Sequence, residues 1–401
     1  MTAIAESNMF KPIKVGPVEL SNRIVMLPTT RFRNSPEHVA TDAMQKLYSD
    51  RTRDAGSLVI TEGTLISPKY GMYPQAPGLW SEVQAAAWKK VVDAVHQNGS
   101  FICSQLWALG RIAEPEIAKA DNLPLYGPSA IHYSEEAKEA AEKSGVELVA
   151  LSTEEVEQMI QEYVVAAGHA LEIAGADMVE VHSANGYLLN QFVDEVSNQR
   201  TDKYGGSIEN RARVVLEIID AIGTKFGYER VGVRFTPWST FQGMPAGDEA
   251  KISPIVTYGY LLSELERRAA SGKRLAYVST TEPRTEWWLE TKGTSSFHND
   301  WMYDIWKGVV IRSGAYFIEP SYSTALKHVN ANDRTIIGSC RSFTSNPDLR
   351  TRLRKGLELT PYERKYFYAY TNYGYNTYGD YGTEKLGPDS EQATKPLTPL
   401  A

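Results

Sequence analysis

Eight short apolar segments alternate with longer amphipathic ones along this 401-residue chain, and that rhythm predicts an α/β fold, a single (β/α)8 barrel. Composition does not shift between the two halves, so residues 1–401 read as one domain, with a core from about 10 to 381. No Gly-x-Gly-x-x-Gly turn follows the first strand, which counts against a doubly wound dinucleotide-binding sheet.

Lys14 to Leu20 reads as an N-terminal hairpin turning at Gly16-Pro17. Ile24 to Leu27 is the first strand, ended by Pro28-Thr29-Thr30-Arg31, and Asp42 to Arg53 an amphipathic helix. Ser57 to Thr61 is the second strand, followed by Glu62-Gly63-Thr64. Glu82 to Gln97 is helical up to the stop at Asn98-Gly99, and Phe101 to Leu106 is the third strand, leading into Trp107. Arg111 to Ala150 breaks the rhythm with Pro115, Pro124 and Pro128, and is expected to be a long irregular capping insertion. Ser152-Thr153-Glu154-Glu155 is a capping box for a helix reaching about Ile173.

Met178 to His182 is the fourth strand, and Ser207 caps a helix that ends near Phe226. Arg230–Phe235 and Leu275–Ser279 are strands five and six, on either side of a helix from Ile255 to Ala270. Thr280 to Asp300 is a second long loop, carrying Trp287, Trp288 and Phe297. Gly308–Arg312 and Thr335–Gly338 complete the set of eight. Asn346-Pro347 and Thr360-Pro361 each predict a helix start with proline at the first helical position. The polar tail, 383–401, is expected to fray.

The totals exclude several classes of function. A net charge of −7 argues against nucleic acid or an anionic membrane as partner. No apolar run is long enough to span a bilayer, and Met1 to Phe10 does not read as a signal peptide. Two cysteines, Cys103 and Cys340, predict a reducing compartment such as the cytoplasm and no disulfide framework. No metal-ligand spacing occurs. Monomer and homodimer both remain open.

Barrel active sites lie at the C-terminal ends of the strands. Strand four ends in His182, Asn185 and Tyr187, which bring two donors beside a phenol that stays protonated at neutral pH. That set suits a substrate oxygen gaining negative charge while a proton is delivered nearby. Strand one adds Thr29 and Thr30, strand two Gly63, and strand three Gln105 and Trp107. Arg234 ends strand five, where a buried cation needs an anion or a polarised carbonyl. Gly314, Gly338 and Arg341 follow strands seven and eight, the usual phosphate position. Cys103 reads as inert core. Cys340 beside Arg341 reads first as a small packing residue.

His182-Ser183-Ala184-Asn185-Gly186-Tyr187-Leu188, Tyr204-Gly205-Gly206-Ser207-Ile208-Glu209-Asn210-Arg211, Gln105-Leu106-Trp107 and Ser345-Asn346-Pro347-Asp348-Leu349 are four further motifs. Together they resemble the old yellow enzymes, FMN-dependent ene-reductases, and most closely their fungal branch. The resemblance runs from about Phe10 to Tyr381. It implies non-covalent FMN, NADPH as hydride donor, and an enone, unsaturated aldehyde, imide or nitroalkene as substrate. Pro28, Thr29, Thr30 and Gly63 would contact the flavin ring, with the Thr30 hydroxyl near its C4 carbonyl and N5. Gln105 and Arg234 would hold the pyrimidine edge, and Gly314, Cys340 and Arg341 the phosphate. His182 and Asn185 would bind the substrate oxygen and Tyr187 would give the proton. Trp107, Tyr375 and Trp288 would line the substrate pocket.

Two positions depart from the family pattern: Cys340 stands where the family usually has Gly, and Ala315 where it often has Asn. The tyrosine that some isomerase relatives lack is present as Tyr187, which favours reduction. The rival readings are a flavin-dependent isomerase, a flavin-free barrel lyase using Tyr187 as acid, and a non-enzymatic flavin-binding protein.

Overall fold

The apolar segments pair in parallel and close on themselves. In this computed structural model, which describes residues 4–245, 250–283, 296–318 and 321–401, the barrel strands are β1 (Ile24–Met26), β2 (Leu58–Ile60), β3 (Phe101–Trp107) and β4 (Met178–Ser183). They continue with β5 (Val231–Phe235), β6 (Tyr277–Thr281), β7 (Val309–Ser313) and β8 (Thr335–Ser339). Each pairs with its successor, and β8 returns to β1 through Gly338 opposite Val25. The sequence reading of the barrel therefore holds, with strand ends shifted by one or two residues. The hairpin forms between Ile13–Val15 and Val18–Leu20. Its Val15, Val18 and Leu20 pack with Leu58, Ile60 and Ile336 and plug the barrel at the end away from the loops after the strands.

Helices cover the outside. Ser81 and Gln84 form a capping box for Glu82–Gln97, and Ser152 and Glu155 form one for Thr153–Gly168. Their apolar faces join those of Ile208–Phe226 and Pro254–Ala270 in one continuous layer around the sheet, including Trp88, Tyr163, Ile219 and Leu262.

Four expectations need correction. Arg111–Ala150 is not irregular: it holds helices Pro115–Ala120 and Glu135–Ser144 and a parallel pair, Leu125–Gly127 with Leu148–Ala150. Its small core of Ala118, Leu125, Ala141 and Leu148 joins Trp107 and Leu109, so short alanine-rich helices pack where prolines suggested a loop. Pro347 lies outside its helix, which starts at Leu349 after Asp348. After Thr360-Pro361 only one 3-10 turn forms, Arg364–Tyr366. The tail does not fray either: Pro399 bridges to Thr41, Leu400 N–H donates to Ala40 O at 2.9 Å, and Lys90 bonds the Leu400 carbonyl.

Candidate active site

The strand register sets the site. His182 on β4 lies opposite Arg234 on β5, and Arg234 opposite Ser279 on β6. Beyond these ends opens a cavity of about 450 Å³. Pro28, Thr29 and Thr30 line it from β1, and Asn185 and Tyr187 from β4. Trp107 and Arg234 line it from β3 and β5, and Gly314, Cys340 and Arg341 from β7 and β8.

The loop after β4 is held in an unusual backbone path. Asn185 has φ +56, a region asparagine tolerates better than most residues, and its N–H donates to Thr236 Oγ1 at 2.8 Å. Gly186 follows at φ +75, where a Cβ would come within 2.7 Å of Gln242 Cβ. Gly186 N–H donates to Asn190 Oδ1, and its carbonyl accepts from Gln191 Nε2, both at 2.8 Å. Tyr187 then leads into the helix Leu188–Val193.

Tyr187 stands edge-on to Trp107 with centroids 4.8 Å apart, and edge-on to His182 at 5.3 Å. Burial pushes its phenol up to about 12, against the lowering effect of hydrogen bonds with Gln242 and Tyr73, so it holds its proton at neutral pH. His182 stacks beneath Trp107 at 6.2 Å. Burial first, and then the charge of Arg234, drive its imidazole down to about 3. It is therefore a neutral ring with one N–H to give. Its Nδ1 is buried and has no hydrogen bond.

Not every expected residue reaches the cavity wall. His182 is set just behind Trp107 and Tyr187. Gln105 is buried one level deeper, where its Nε2 donates to Glu180 Oε1 at 2.7 Å. Gly63 lies under the Trp107 indole, and a Cβ would approach Cε3 to 2.7 Å. Tyr375 does not line the pocket: it is fully buried between the guanidinium groups of Arg31 and Arg33, at 5.0 and 4.8 Å. The aromatic side chains which that segment gives to the wall are Phe367 and Tyr368. Trp288 lies outside the described residues.

The groups present suit a flavin. Among the described residues Arg234 Nε is buried without a partner and its Nη2 has only Thr281 Oγ1 at 3.3 Å, so it brings donors to the cavity wall. Gly314 takes φ +146 at the end of β7, and a Cβ on Gly338 would overlap the Leu27 side chain. Cys340 keeps a negative φ, −108°, so its side chain costs no left-handed backbone strain where the family usually has glycine. Ala315 sits at φ +54, the left-handed region where asparagine would be easier.

The chain matches the profile of the NADH:flavin oxidoreductase / NADH oxidase family over residues 8–360. It superposes on the crystal structure of Old Yellow Enzyme from a Pichia species with TM-score 0.94 and 52% identity, covering 99% of this chain and 100% of that one. This chain belongs to the old yellow enzyme family. It is 43% identical over 392 residues to a probable NADPH dehydrogenase of Candida albicans, covering 96% of this chain and 94% of that protein. It is also 43% identical over 389 residues to enoate reductase 1 of Kluyveromyces lactis, covering 94% and 95%. As an old yellow enzyme the chain is an oxidoreductase with FMN, held non-covalently, as cofactor and NADPH as its reductant.

Some residues of the old yellow enzyme cavity escaped the sequence reading. Phe32, Tyr73, Trp238, Phe241, Gln242 and Tyr368 all line it. Extending each strand end by two to eight residues would have reached Phe32 and the 236–242 loop. Tyr73 and Tyr368 carry no local signal, because tertiary packing brings them to the mouth.

Proposed function

We propose that this old yellow enzyme reduces activated C=C bonds, in α,β-unsaturated aldehydes, ketones and imides and in nitroalkenes, by a ping-pong cycle in one pocket. FMN, when bound, would supply the hydride chemistry that links NADPH to the β-carbon of the substrate. The residues of the chain do the rest. Asn185, on the cavity wall, donates to the substrate oxygen, and the neutral His182, set just behind Trp107 and Tyr187, is the second donor assigned to that oxygen; together they draw electron density from the double bond. Thr30 and Arg234, on the cavity wall, would hold the flavin, and the Arg234 cation would oppose negative charge on the reduced ring. Tyr187 gives its proton to the α-carbon. Trp107, Tyr73 and Phe32 line the pocket with aromatic surface that keeps water from the reacting atoms.

The observation that carries this reading is the Tyr187 phenol: protonated, on the cavity wall, and in ring contact with His182. The resemblance associates isomerase activity with relatives that lack this tyrosine, so its presence favours reduction. The enzyme would work in the cytoplasm, as monomer or homodimer. Anaerobic stopped-flow provides the test. NADPH should bleach the flavin, and a panel of enones should restore its colour with formation of the saturated product. Bleaching without recovery on any member of the panel would leave NADPH oxidation as the activity and defeat the reading.

A further inference from the structure

One row of the barrel interior is polar where such rows are usually filled by Val, Ile and Leu. Gln105 of β3, Glu180 of β4, Gly232 of β5 and Tyr277 of β6 lie side by side in register. The row lies one level below Trp107, His182 and Arg234. Glu180 is fully buried. Its Oε1 accepts from Gln105 Nε2 at 2.7 Å, while Oε2 meets no donor in hydrogen-bond geometry among the described residues, although the Tyr277 hydroxyl acts on the carboxyl as a nearby donor. Gly232 makes room for the row: a Cβ there would stand 2.7 Å from Tyr277 Cε2. The Tyr277 hydroxyl is 3.3 Å from the Cys103 thiol and acts electrostatically on Glu180.

Packing does not account for this carboxyl group, because an apolar side chain of similar volume would generally be as stable or more so. Its effect on two neighbours does. A carboxylate can only accept, so the Gln105 amide must turn Nε2 toward it and Oε1 away. Oε1 then receives no hydrogen bond from the described residues. Arg234, the second neighbour, forms no ion pair within the described residues, and Glu180 is a carboxyl group whose charge couples to it. Burial, the largest effect, raises the Glu180 carboxyl from its ordinary value, while Arg234, then Gln105 and Tyr277, pull it back toward the carboxylate.

We infer that Glu180 is a positioning residue for the flavin: it makes Gln105 present an acceptor, suited to the imide N–H of the pyrimidine ring, and it offsets part of the Arg234 charge. The inference rests on FMN occupying the cavity. Replacing the carboxylate by an amide frees Gln105 to turn over. It also leaves Arg234 with its full charge, which favours the reduced, anionic ring.

The test uses holoenzyme and two readouts that do not involve turnover. The midpoint potential is measured by dye equilibration, and FMN affinity by titrating apoprotein. Glu180→Gln should shift the ratio of reduced to oxidised flavin about tenfold toward reduced, ~30 mV for a two-electron couple. It should also weaken FMN binding severalfold. In the Gln105→Ala background the same change should leave FMN affinity unaltered, since it acts there through Gln105. Glu180→Asp keeps the charge and withdraws the oxygen, so it should lower affinity and spare the potential, and it serves as well if Glu180→Gln does not fold. A reduced-to-oxidised ratio and an FMN affinity both within twofold of wild type in Glu180→Gln would overturn the inference, as would additive effects on FMN affinity in the double mutant. Wild-type protein that binds no FMN would instead defeat the flavin reading itself.

Discussion

Arg31 and Arg33 share one acceptor: the carbonyl of Phe367 receives Arg31 Nε at 3.0 Å and Arg33 Nη1 at 2.6 Å. Arg31 also holds Gly374 O, and Arg33 holds Tyr366 O and Thr371 O. The Tyr375 ring lies over both cations. Two arginines just past β1 thus pin the segment that lends Phe367 and Tyr368 to the cavity.

Arg33→Met should therefore destabilise the fold and loosen that wall. Arg33 is wholly buried, and the change strands several carbonyls that a charged donor now satisfies. The expected cost is ~3–5 kcal/mol, read as a lower denaturant midpoint at constant slope. A midpoint equivalent to less than about 0.5 kcal/mol of loss would mean the segment is held by other contacts.

How much of this could be read in the sequence follows from which forces are local. Strands such as Val231–Phe235 announce themselves by apolar runs, and the Ser152/Glu155 capping box marks its own helix start. The site followed from one topological rule, that chemistry sits where parallel strands end. What failed depended on distant partners. Tyr375 is drawn under Arg31 and Arg33 across more than 300 positions, so its tyrosine-rich surroundings gave no sign that it would be buried. The tail looks polar, yet backbone hydrogen bonds to Ala40 and Thr398–Asp42 contacts hold it, and such contacts leave no compositional trace. Glu180 lies inside the apolar run of β4, and its partner Gln105 sits on a neighbouring strand more than 70 positions away, so nothing local marks the pair.

Thr30→Ala should lower the flavin midpoint potential. Thr30 lines the cavity, and its hydroxyl is the donor assigned to the C4 carbonyl of the ring. Losing a donor worth roughly 1–2 kcal/mol to the electron-rich reduced form corresponds to a drop of about 20–40 mV. Reduction by NADPH should slow while reoxidation is unchanged or faster. An unaltered potential would remove Thr30 from that contact.

His182→Ala and Asn185→Ala should each weaken a phenolate inhibitor and damp its long-wavelength charge-transfer band. At ~1.5–3 kcal/mol per hydrogen bond to a charged oxygen, affinity should fall by about ten- to a hundred-fold or more. The pH profile adds a separate check. A histidine held down at about 3 does not gain a proton between pH 5 and 8, so wild-type affinity should show no break near 6.5. Only the ionisation of the phenol should appear. A break that vanishes in His182→Ala would show that the ring titrates and that burial does not keep it neutral. The same depression bears on stability: the unfolded chain takes up a proton at this histidine below pH 6.5, so its contribution to the native state is lost as pH falls from about 6.5 toward 3.

Tyr187→Phe separates the two half-reactions. The change removes one hydroxyl and keeps the ring, so contacts with Trp107 and His182 and the binding of FMN should survive. Transfer from NADPH to the flavin needs no proton from this group, so that step should keep its rate. Enone reduction does need it, and loss of a positioned general acid typically costs ~10²–10⁴-fold. Substrates that yield a stable anion should suffer less, since a nitroalkene can leave as a nitronate and be protonated by water. Paired single-turnover traces with cyclohexenone and nitrostyrene measure the difference. Reoxidation by cyclohexenone at the wild-type rate would rule out Tyr187 as the proton donor. A nitroalkene reaction that alone is spared would place the defect at the α-carbon proton, because the oxygen site proposed for His182 and Asn185 would serve both substrates alike.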